Sequence, residues 1–394
     1  MSTVTGGRRA VFVVLLFGAM GAATLSAPAL GILATFIIDD LEISRSLLGW
    51  VIGTNVILAA LLSPFTGRVT DRVGGKVALI SVFVLATLAF LTFGLAPALA
   101  VLFIASVVAA ISQSAANPST NKLIGEALPP GERGVTTGIK QSGVQAAITV
   151  AGFILPALAI AFGWRGAMLT LAALPLLGAL LALLVIPSSV PQSTAGAGTD
   201  GRLPPSIPWL TAYGLIFGFA GAVTFWIPLF AEESLGLDPR VGGIAISVAG
   251  LVAFAARILW ARYAERRHEY LGPLGTMAVL GVVASALLLA ATGWGWLLWP
   301  GVILTGASSS AWNSVGMLAV IDEAGLATGR ASGIVLFGFL TGLGIGPPLY
   351  GATVDATGSY NVMWLLSIAA AAVAAGLVSV WRRQRAASAP STPG

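Results

Sequence analysis

Two basic side chains lie inside long apolar stretches of this sequence, where an uncompensated charge is unfavourable. Lys140 lies about two helical turns beyond Arg133, and Arg257 lies about two turns before Glu265. A charge within a membrane-spanning helix costs about 3 kcal/mol unless it is paired, reaches the surface or lines water. Both residues are therefore candidates for binding a negatively charged group.

Lys140 has no evident carboxylate partner in the sequence. All fifteen acidic residues fall in loops or near the ends of apolar stretches, and none lies in the middle of one. We therefore expect Lys140 to bind an anionic ligand. Two alternatives stay open. Lys140 could form an ion pair with Asp322 or Glu126 at the helix ends, or its ammonium could snorkel to the membrane surface.

Arg257 has two interpretations of equal weight. Its planar guanidinium can hold a carboxylate or phosphate through two parallel hydrogen bonds. Alternatively, it forms an ion pair with Asp322 where the helices end.

Neutral amides and aromatic side chains form a third group of candidate binding residues. Gln113, Asn117 and Asn121 recur at every fourth position, as do Gln141 and Gln145, so each set lies on one helix face. The remaining candidates are Asn55, Phe225, Trp226, Trp312 and Asn313. A cavity lined by such groups suits a small polar ligand. The alternative is that the amides only join helices.

The composition places these residues in a membrane protein. The chain has 394 residues, of which 57% are hydrophobic and 9% charged, and its mean hydropathy is +0.94. Soluble domains are about 25% charged. Windows of membrane-spanning length predict twelve spans. They are 10–37, 47–69, 77–97, 99–121, 136–161, 166–187, 208–231, 242–261, 272–292, 295–319, 331–353 and 361–381.

A segment rich in Ser, Gly, Pro and Thr divides the spans into two sets of six. It covers residues 188–207 and has the composition of a linker. We therefore predict an N-terminal six-helix bundle over 1–187, a cytoplasmic linker, and a C-terminal six-helix bundle over 208–394.

The basic residues predict the orientation. With an even number of spans, fifteen of the 20 Lys and Arg residues fall on the side of both termini, against three on the other side. Such an excess marks the cytoplasmic side, so we expect both termini in the cytoplasm. The formal net charge of +5 then reflects loops that face anionic lipid, not a nucleic-acid partner.

The missing residue types exclude several kinds of site. There is no cysteine and one histidine, His268, so no metal site built from these residues is expected. No phosphate-binding Gly-x-x-x-x-Gly-Lys-Ser/Thr sequence is present, and no concentrated acid or histidine cluster suggests an enzyme. We expect no cofactor.

The loop after the second predicted span carries a recognisable pattern. It reads Gly67-Arg-Val-Thr-Asp71-Arg72-Val-Gly74-Gly75-Lys76, and the corresponding loop of the second half keeps the acid–arginine pair as Glu265-Arg266. This pattern resembles the signature loop of the major facilitator superfamily, whose second copy is usually degraded. Gly163-Trp164-Arg165 before the sixth span is also common in that family. The resemblance covers the whole chain, since span count, linker and motif position agree.

The loop residues have physical roles that do not depend on the family. Gly67 permits close approach of a neighbouring helix, and Asp71 can cap a neighbouring helix N-terminus. Arg72 and Lys76, with Gly74 at the turn, can hold helix ends together. We therefore expect gating by Gly67, Asp71, Arg72, Gly74, Lys76, Glu265 and Arg266. The alternative is that these charges only anchor the loop at the lipid surface.

The two halves also share a glycine frame. The fifth span begins Gly138-Ile-Lys140-Gln141-Ser-Gly143, and the eleventh begins Gly333-Ile-Val-Leu-Phe-Gly338. The scaffold needs the glycines, but it does not need the lysine, because the second half lacks one.

The resemblance implies an all-α membrane protein of twelve helices in two pseudo-symmetric bundles that rock about a central site. It implies a monomeric secondary transporter in the cytoplasmic membrane. We expect a small organic anion as substrate, with proton symport preferred and exchange or uniport open. The first alternative is efflux of drug-like compounds, although the fifth span lacks the glycine–proline bend of the antiporter branch. The second is a membrane receptor that transports nothing.

Overall fold

The computed structural model describes residues 7–186, 203–267, 269–324 and 328–388, and the described part is helical. The α-helices of the first half are α1 (Gly7–Thr24), α2 (Ser26–Ile32), α3 (Ala34–Leu41), α4 (Arg45–Val73), α5 (Gly75–Gly94), α6 (Leu99–Ala127), α7 (Pro130–Leu171) and α8 (Ala173–Val185). Those of the second half are α9 (Ser206–Gly221), α10 (Ile227–Glu233), α11 (Pro239–Arg267), α12 (Leu271–Ala290), α13 (Leu298–Ala307), α14 (Asn313–Ala324), α15 (Thr328–Thr357) and α16 (Asn361–Ser388). A 3₁₀ turn, Ala222–Trp226, joins α9 to α10.

The helices fit the predicted spans, although several spans are broken or fused. Within the described ranges, nine helices are long and apolar enough to cross a membrane, or ten if the pair α1 and α2, bent by 53°, counts as one. The stretch Val135–Val185 has 51 residues, about twice the length that one crossing needs. Its backbone leaves the helical region at Gly163 (φ 71), which separates the predicted fifth and sixth spans. The predicted tenth span is α13 and α14, separated by residues 308–312.

The Gly163-Trp164-Arg165 turn fastens the ends of three segments of the first half. Trp164 Nε1 and Arg165 Nη1 both donate to Asp40 Oδ2, at 3.2 and 2.6 Å, and Arg165 Nε donates to the Ala96 carbonyl at 2.9 Å. Because glycine adopts positive φ without a steric penalty, it suits this sharp change of direction.

Three buried apolar clusters hold the helices together. One consists of residues between Phe12 and Ile186, and a second of residues between Ile207 and Trp381, so each belongs to one half. The third, from Leu25 to Trp364, contains residues of both halves. Helix pairs α4–α15 and α7–α11 form much of the contact between the halves. The predicted bundles fit this arrangement but stay a prediction, and most of the predicted linker, through residue 202, lies outside the described residues.

The second glycine of each shared frame makes a close helix contact. A Cβ on Gly143 would lie 2.1 Å from the Phe17 carbonyl oxygen of α1, and one on Gly338 would lie 2.8 Å from the Thr211 oxygen of α9. The first glycines, Gly138 and Gly333, have nothing within 4 Å of such a Cβ. The two halves therefore use the frame in the same way.

The two ends of the molecule differ in how the halves meet. We call the end that holds the start of α1 and the end of α16 the termini end, and the opposite end the distal end. Within the described ranges, the ion pairs between halves are Arg45–Glu233 and Arg45–Asp355, both at the distal end. The others join residues of one half, at either end: Arg9–Glu132, Lys122–Asp71, Arg165–Asp40, Arg382–Glu269 and Arg385–Glu323.

Glycine contacts between the halves follow the same division. A Cβ on Gly49 or Gly53 of α4 would lie 2.5 or 2.4 Å from a backbone oxygen of α15. A Cβ on Gly152 would lie 2.4 Å from the Gly243 oxygen of α11. Gly67, nearer the termini end of α4, has nothing within 4 Å. The halves are thus closed together at the distal end and apart at the termini end.

Candidate functional site

A cavity of about 520 Å³ lies between the two halves. Helices α1, α2, α4, α6 and α7 line one side, and the 3₁₀ turn, α11, the α13–α14 break and α15 line the other. Its polar lining consists of Thr24, Ser63, Gln113, Ser114, Asn117, Asn121, Gln141, Gln145, Thr224, Arg257, Ser309, Ser310, Asn313 and Ser332. Among the described residues that line it, Arg257 carries the single formal charge and no carboxylate is present.

Arg257 is held by the break between α13 and α14. Its Nε and Nη2 donate to the Ser310 carbonyl at 3.2 and 3.0 Å. Since α13 ends at Ala307, the helical hydrogen bonds are interrupted here, and side chains of α11 donate to carbonyls at the break. Trp260 Nε1 donates to the Ala307 carbonyl at 2.8 Å in the same way. The alternative pair of Arg257 with Asp322 is not formed in this conformation, and Nη1 stays available to a ligand.

Lys140 does not line the cavity, contrary to the prediction of direct substrate contact. Its side chain is fully buried, so it does not snorkel. Nζ donates to Asn117 Oδ1 at 3.2 Å, Thr120 Oγ1 at 2.8 Å and Asn121 Oδ1 at 2.6 Å. These three acceptors match the three protons of an ammonium group. Pairs with Asp322 or Glu126 are not formed in the described structure.

The predicted amide residues on α6 and α7 share one wall of the cavity. Gln113, Asn117 and Asn121 line it together with Gln141 and Gln145. Gln141 Nε2 donates to Asn117 Oδ1 at 2.9 Å, so this oxygen accepts from both Gln141 and Lys140. Gln113 Oε1 is buried without a described partner, as is the oxygen of Asn313 on the opposite wall. These two oxygens can therefore accept hydrogen bonds from a ligand in the cavity.

Two other predicted binding residues lie outside the cavity lining. Asn55 is fully buried and donates to the Ser106 carbonyl at 3.3 Å, which joins α4 to α6. Trp226 is buried and donates through Nε1 to the Pro347 carbonyl at 3.2 Å. Both side chains connect helices. The neighbouring Phe225 lines the cavity instead.

Several lining residues were not singled out from the sequence. Phe339 of α15 lines the cavity beside Trp312, with ring centroids 4.6 Å apart. Ser309 and Ser310 line it at the helix break. The run Ser308-Ser309-Ser310 inside an apolar span was the signal that could have indicated them.

The predicted gating loop makes its contacts within the first half. Lys122 Nζ donates to the Asp71 carbonyl at 2.9 Å and lies 3.5 Å from its Oδ1, and Lys76 Nζ donates to the Leu183 carbonyl at 3.2 Å. Gly74 has φ 86, a conformation that favours glycine. Among the described residues Asp71 therefore contacts Lys122 and, contrary to expectation, does not cap a neighbouring helix N-terminus.

Four further predicted gating residues have no contact between the halves to support them here. Gly67 makes no close approach to another helix, contrary to expectation, since a Cβ there would have nothing within 4 Å. Arg72 is exposed beside it. Glu265 and Arg266 are exposed at the end of α11.

The described residues contain no group of three or more His, Cys, Asp or Glu side chains that could hold a metal ion. His268 lies outside the described residues. Besides aliphatic side chains, the cavity wall carries an arginine, amides, hydroxyls and aromatic rings.

Curated relatives of this chain are membrane transporters. It is 24% identical over 371 residues to the hexuronate transporter of Bacillus subtilis, covering 87% of each chain. It is 22% identical over 367 residues to the "Probable sulfoacetate transporter SauU" of Cupriavidus necator, covering 86% of this chain and 85% of that one. Human monocarboxylate transporter 11 is 28% identical over 235 residues, which cover 52% of this chain and 47% of the relative.

Solved structures show the same fold at low sequence identity. A bacterial homologue of the human lysosomal transporter Spinster, in an inward-facing and occupied conformation, superposes with a TM-score of 0.76 at 18% identity, covering 96% of this chain and 98% of that one. The nucleoside transporter NupG superposes with a TM-score of 0.76 at 13% identity, covering 94% and 99%.

The model of one family matches most of the sequence. It extends over residues 11–329, from the first helix to the start of α15, and includes the signature loop and the wall of amides. With the helical membrane fold and the cavity between the halves, this match identifies the chain as a multi-pass membrane transporter for a small molecule, not an enzyme, and it belongs to the Major Facilitator Superfamily.

Proposed function

We propose that this protein carries a small organic anion across the cytoplasmic membrane by alternating access. The observation that carries the proposal is the charge of the cavity. Arg257 provides its one formal charge, and no carboxylate lines it among the described residues. In a site shielded from water, a single unpaired positive charge favours an anion over a neutral or cationic solute.

The relatives support the same substrate class. The named substrates of the three curated relatives are a hexuronate, sulfoacetate and monocarboxylates, all of which are organic anions. A carboxylate or sulfonate oxygen suits the free Nη1 of Arg257 and the amide groups of the opposite wall. The three substrates differ in size and hydroxyl content, so we use all three as probes.

The arrangement of the halves supports alternating access. The cavity lies between halves that are closed at the distal end and apart at the termini end. In transporters of this kind, the halves rock about such a site and expose it to each side in turn. The excess of basic residues at the termini end supports a cytoplasmic location for both termini, so this conformation opens to the cytoplasm. We propose that the protein works as a monomer.

Reconstituted protein tests the substrate class. Proteoliposomes are loaded with buffer and exposed to labelled D-glucuronate, sulfoacetate or L-lactate, with a neutral sugar as comparison. We expect uptake of at least one anion and its loss, by about a hundredfold in initial rate, in Arg257→Gln. An imposed inward proton gradient in the same assay measures coupling, and faster uptake is expected for symport.

The matched control is Arg262→Gln, which removes the same charge from the exposed surface at the end of α11. Its uptake should equal that of the wild-type protein. If the wild-type protein moves only neutral, cationic or lipophilic compounds, or if Arg257→Gln retains full anion uptake, the proposal is wrong and efflux of drug-like compounds becomes the better explanation.

A further inference from the structure

Lys140 holds two asparagine side chains that line the cavity. Its Nζ donates to the Oδ1 atoms of Asn117 and Asn121, at 3.2 and 2.6 Å. A lysine ammonium only donates hydrogen bonds, so it selects the oxygen end of each amide. Lys140 itself is fully buried, whereas both asparagines belong to the cavity wall.

This contact determines which end of each amide can meet a ligand. The oxygen and nitrogen of an amide project from the same carbon in different directions. With Oδ1 turned toward Lys140, the Nδ2 group of each asparagine points away from the lysine. Asn117 Oδ1 also accepts from Gln141 Nε2 at 2.9 Å, so both of its lone pairs are used.

The nitrogen atoms of these amides remain open to a ligand. The structure gives Asn117 Nδ2 no acceptor among the described residues, and this atom is not buried. Asn121 is exposed. An amide N–H group donates a strong hydrogen bond to a carboxylate or sulfonate oxygen, but it cannot accept one from a ligand hydroxyl. The buried ammonium polarises both amides and so strengthens these donors.

We propose that Lys140 is a positioning residue: it turns the amide N–H groups of Asn117 and Asn121 into the cavity, so that the first half contributes an anion-binding wall opposite Arg257. This inference rests on the proposed transport of an organic anion. The bound anion then contacts both halves without touching Lys140.

A purely structural lysine is the competing explanation. In that case the ammonium only joins α6 to α7, and its loss lowers stability without changing affinity. The second competing explanation is that Lys140 binds the substrate directly. In that case its loss lowers the affinity for the substrate whichever residues stand at positions 117 and 121. A mutant cycle distinguishes the three, because coupled residues give effects that do not add.

The experiment uses the full-length protein and whichever of D-glucuronate, sulfoacetate and L-lactate the wild-type protein takes up with the lowest KM. The variants are Lys140→Met, the pair Asn117→Ala with Asn121→Ala, and all three changes combined. Kd is measured by isothermal titration calorimetry in detergent, and KM and Vmax in proteoliposomes. Ser142→Ala, at a partly exposed position of α7 outside the cavity lining, is the control.

We expect Lys140→Met to raise Kd and KM about tenfold with Vmax within about twofold of wild type. In the Asn117→Ala, Asn121→Ala background the same substitution should change Kd by less than about twofold. If Lys140→Met does not fold, Lys140→Gln replaces it, since its neutral amide can turn either way and no longer selects the asparagine oxygens.

An unchanged Kd in Lys140→Met overturns the inference and leaves a structural role. An undiminished rise in the double-alanine background overturns it in favour of direct contact. If the wild-type protein takes up none of the three anions, the proposed function itself fails and the inference with it, which separates that result from the other two.

Discussion

At the residue scale, Arg257 owes its suitability to having three nitrogens. Two of them, Nε and Nη2, are occupied by the Ser310 carbonyl, which fixes the plane of the guanidinium. The third, Nη1, can contact an anion without breaking that anchor. A lysine ammonium concentrates its donors on one nitrogen and cannot reach both groups with the same geometry.

Arg257→Lys therefore keeps the charge but loses the positioning. We expect KM for the transported anion to rise about tenfold while uptake at saturating concentration stays within about threefold of wild type. Initial rates in proteoliposomes over a concentration series measure both constants. A wild-type KM in this variant would mean that charge alone attracts the substrate.

Lys140 shows which features of the site can be predicted from the sequence. Its place inside a span followed from hydropathy, and its lack of a carboxylate partner followed from the positions of the acidic residues. Which of two adjacent residues faces the cavity did not follow, because Lys140 and Gln141 differ by about 100° on an apolar helix. The spacing of Gln113, Asn117 and Asn121 did predict a shared face, since positions four apart lie on one side.

At the scale of elements, hydropathy predicted the spans but not their breaks. A break leaves backbone carbonyls without helical partners, and it persists where neighbouring side chains donate hydrogen bonds to those carbonyls. Trp260 and Arg257 of α11 do this for Ala307, the last residue of α13, and for Ser310 in the break. Since this compensation comes from a helix about 50 residues away in sequence, no local window of the chain could reveal it.

Glycine contacts between α4 and α15 allow the distal end to close. A Cβ on Gly53 would lie 2.4 Å from the backbone oxygen of Gly344, so the two helices must separate to accommodate it. We expect Gly53→Ala to favour the conformation that is open at the distal end. Val56, a buried residue that lines the cavity on the same helix, reports this opening when replaced by cysteine.

The measurement is the labelling rate of Val56→Cys by a membrane-impermeant maleimide in whole cells. Because the chain contains no cysteine, the introduced thiol is the single one. Gly53→Ala should raise the rate several-fold, whereas Gly376→Ala, with nothing within 4 Å, should not change it. Equal rates in all three proteins would show that this helix contact does not control the distal opening.

At the scale of the whole molecule, one polar cluster at the distal end joins the halves. Arg45 donates to both Glu233 oxygens, from Nη2 at 2.7 Å and Nε at 3.0 Å, and Tyr360 donates to Glu233 Oε2 at 2.6 Å. Burial and the nearby Glu233 raise the pKa of Tyr360 well above its usual range, so its hydroxyl remains a donor. Asp355 accepts the backbone N–H groups of Arg45 and Ser46, at 3.1 and 2.8 Å. The second half thereby caps the N-terminus of α4, where a carboxylate is favourable.

Because these are the ion pairs that cross between halves in the described ranges, their loss should release the distal end. Glu233→Gln removes the charge that Arg45 contacts in two places. For a partly exposed pair worth about 1 kcal/mol, the ratio of the two conformations should change about fivefold. Spin labels at Val135→Cys and Ile321→Cys, exposed positions of the two halves toward the termini end, measure that ratio by electron–electron double resonance.

The short-distance population, in which the termini end is closed, should increase in Glu233→Gln. Glu269→Gln breaks the pair with Arg382 inside one half and should leave the distances unchanged. If both variants change the distances alike, a general loss of charge causes the change, and the distal cluster does not stabilise one conformation over the other. If only Glu233→Gln responds, and 1 M salt has the same effect on the wild-type protein, the cluster sets the balance between the two conformations electrostatically. Closure of the termini end would then bring Asp71 and Arg72 within reach of the second half, which is where the sequence pattern predicts that they act.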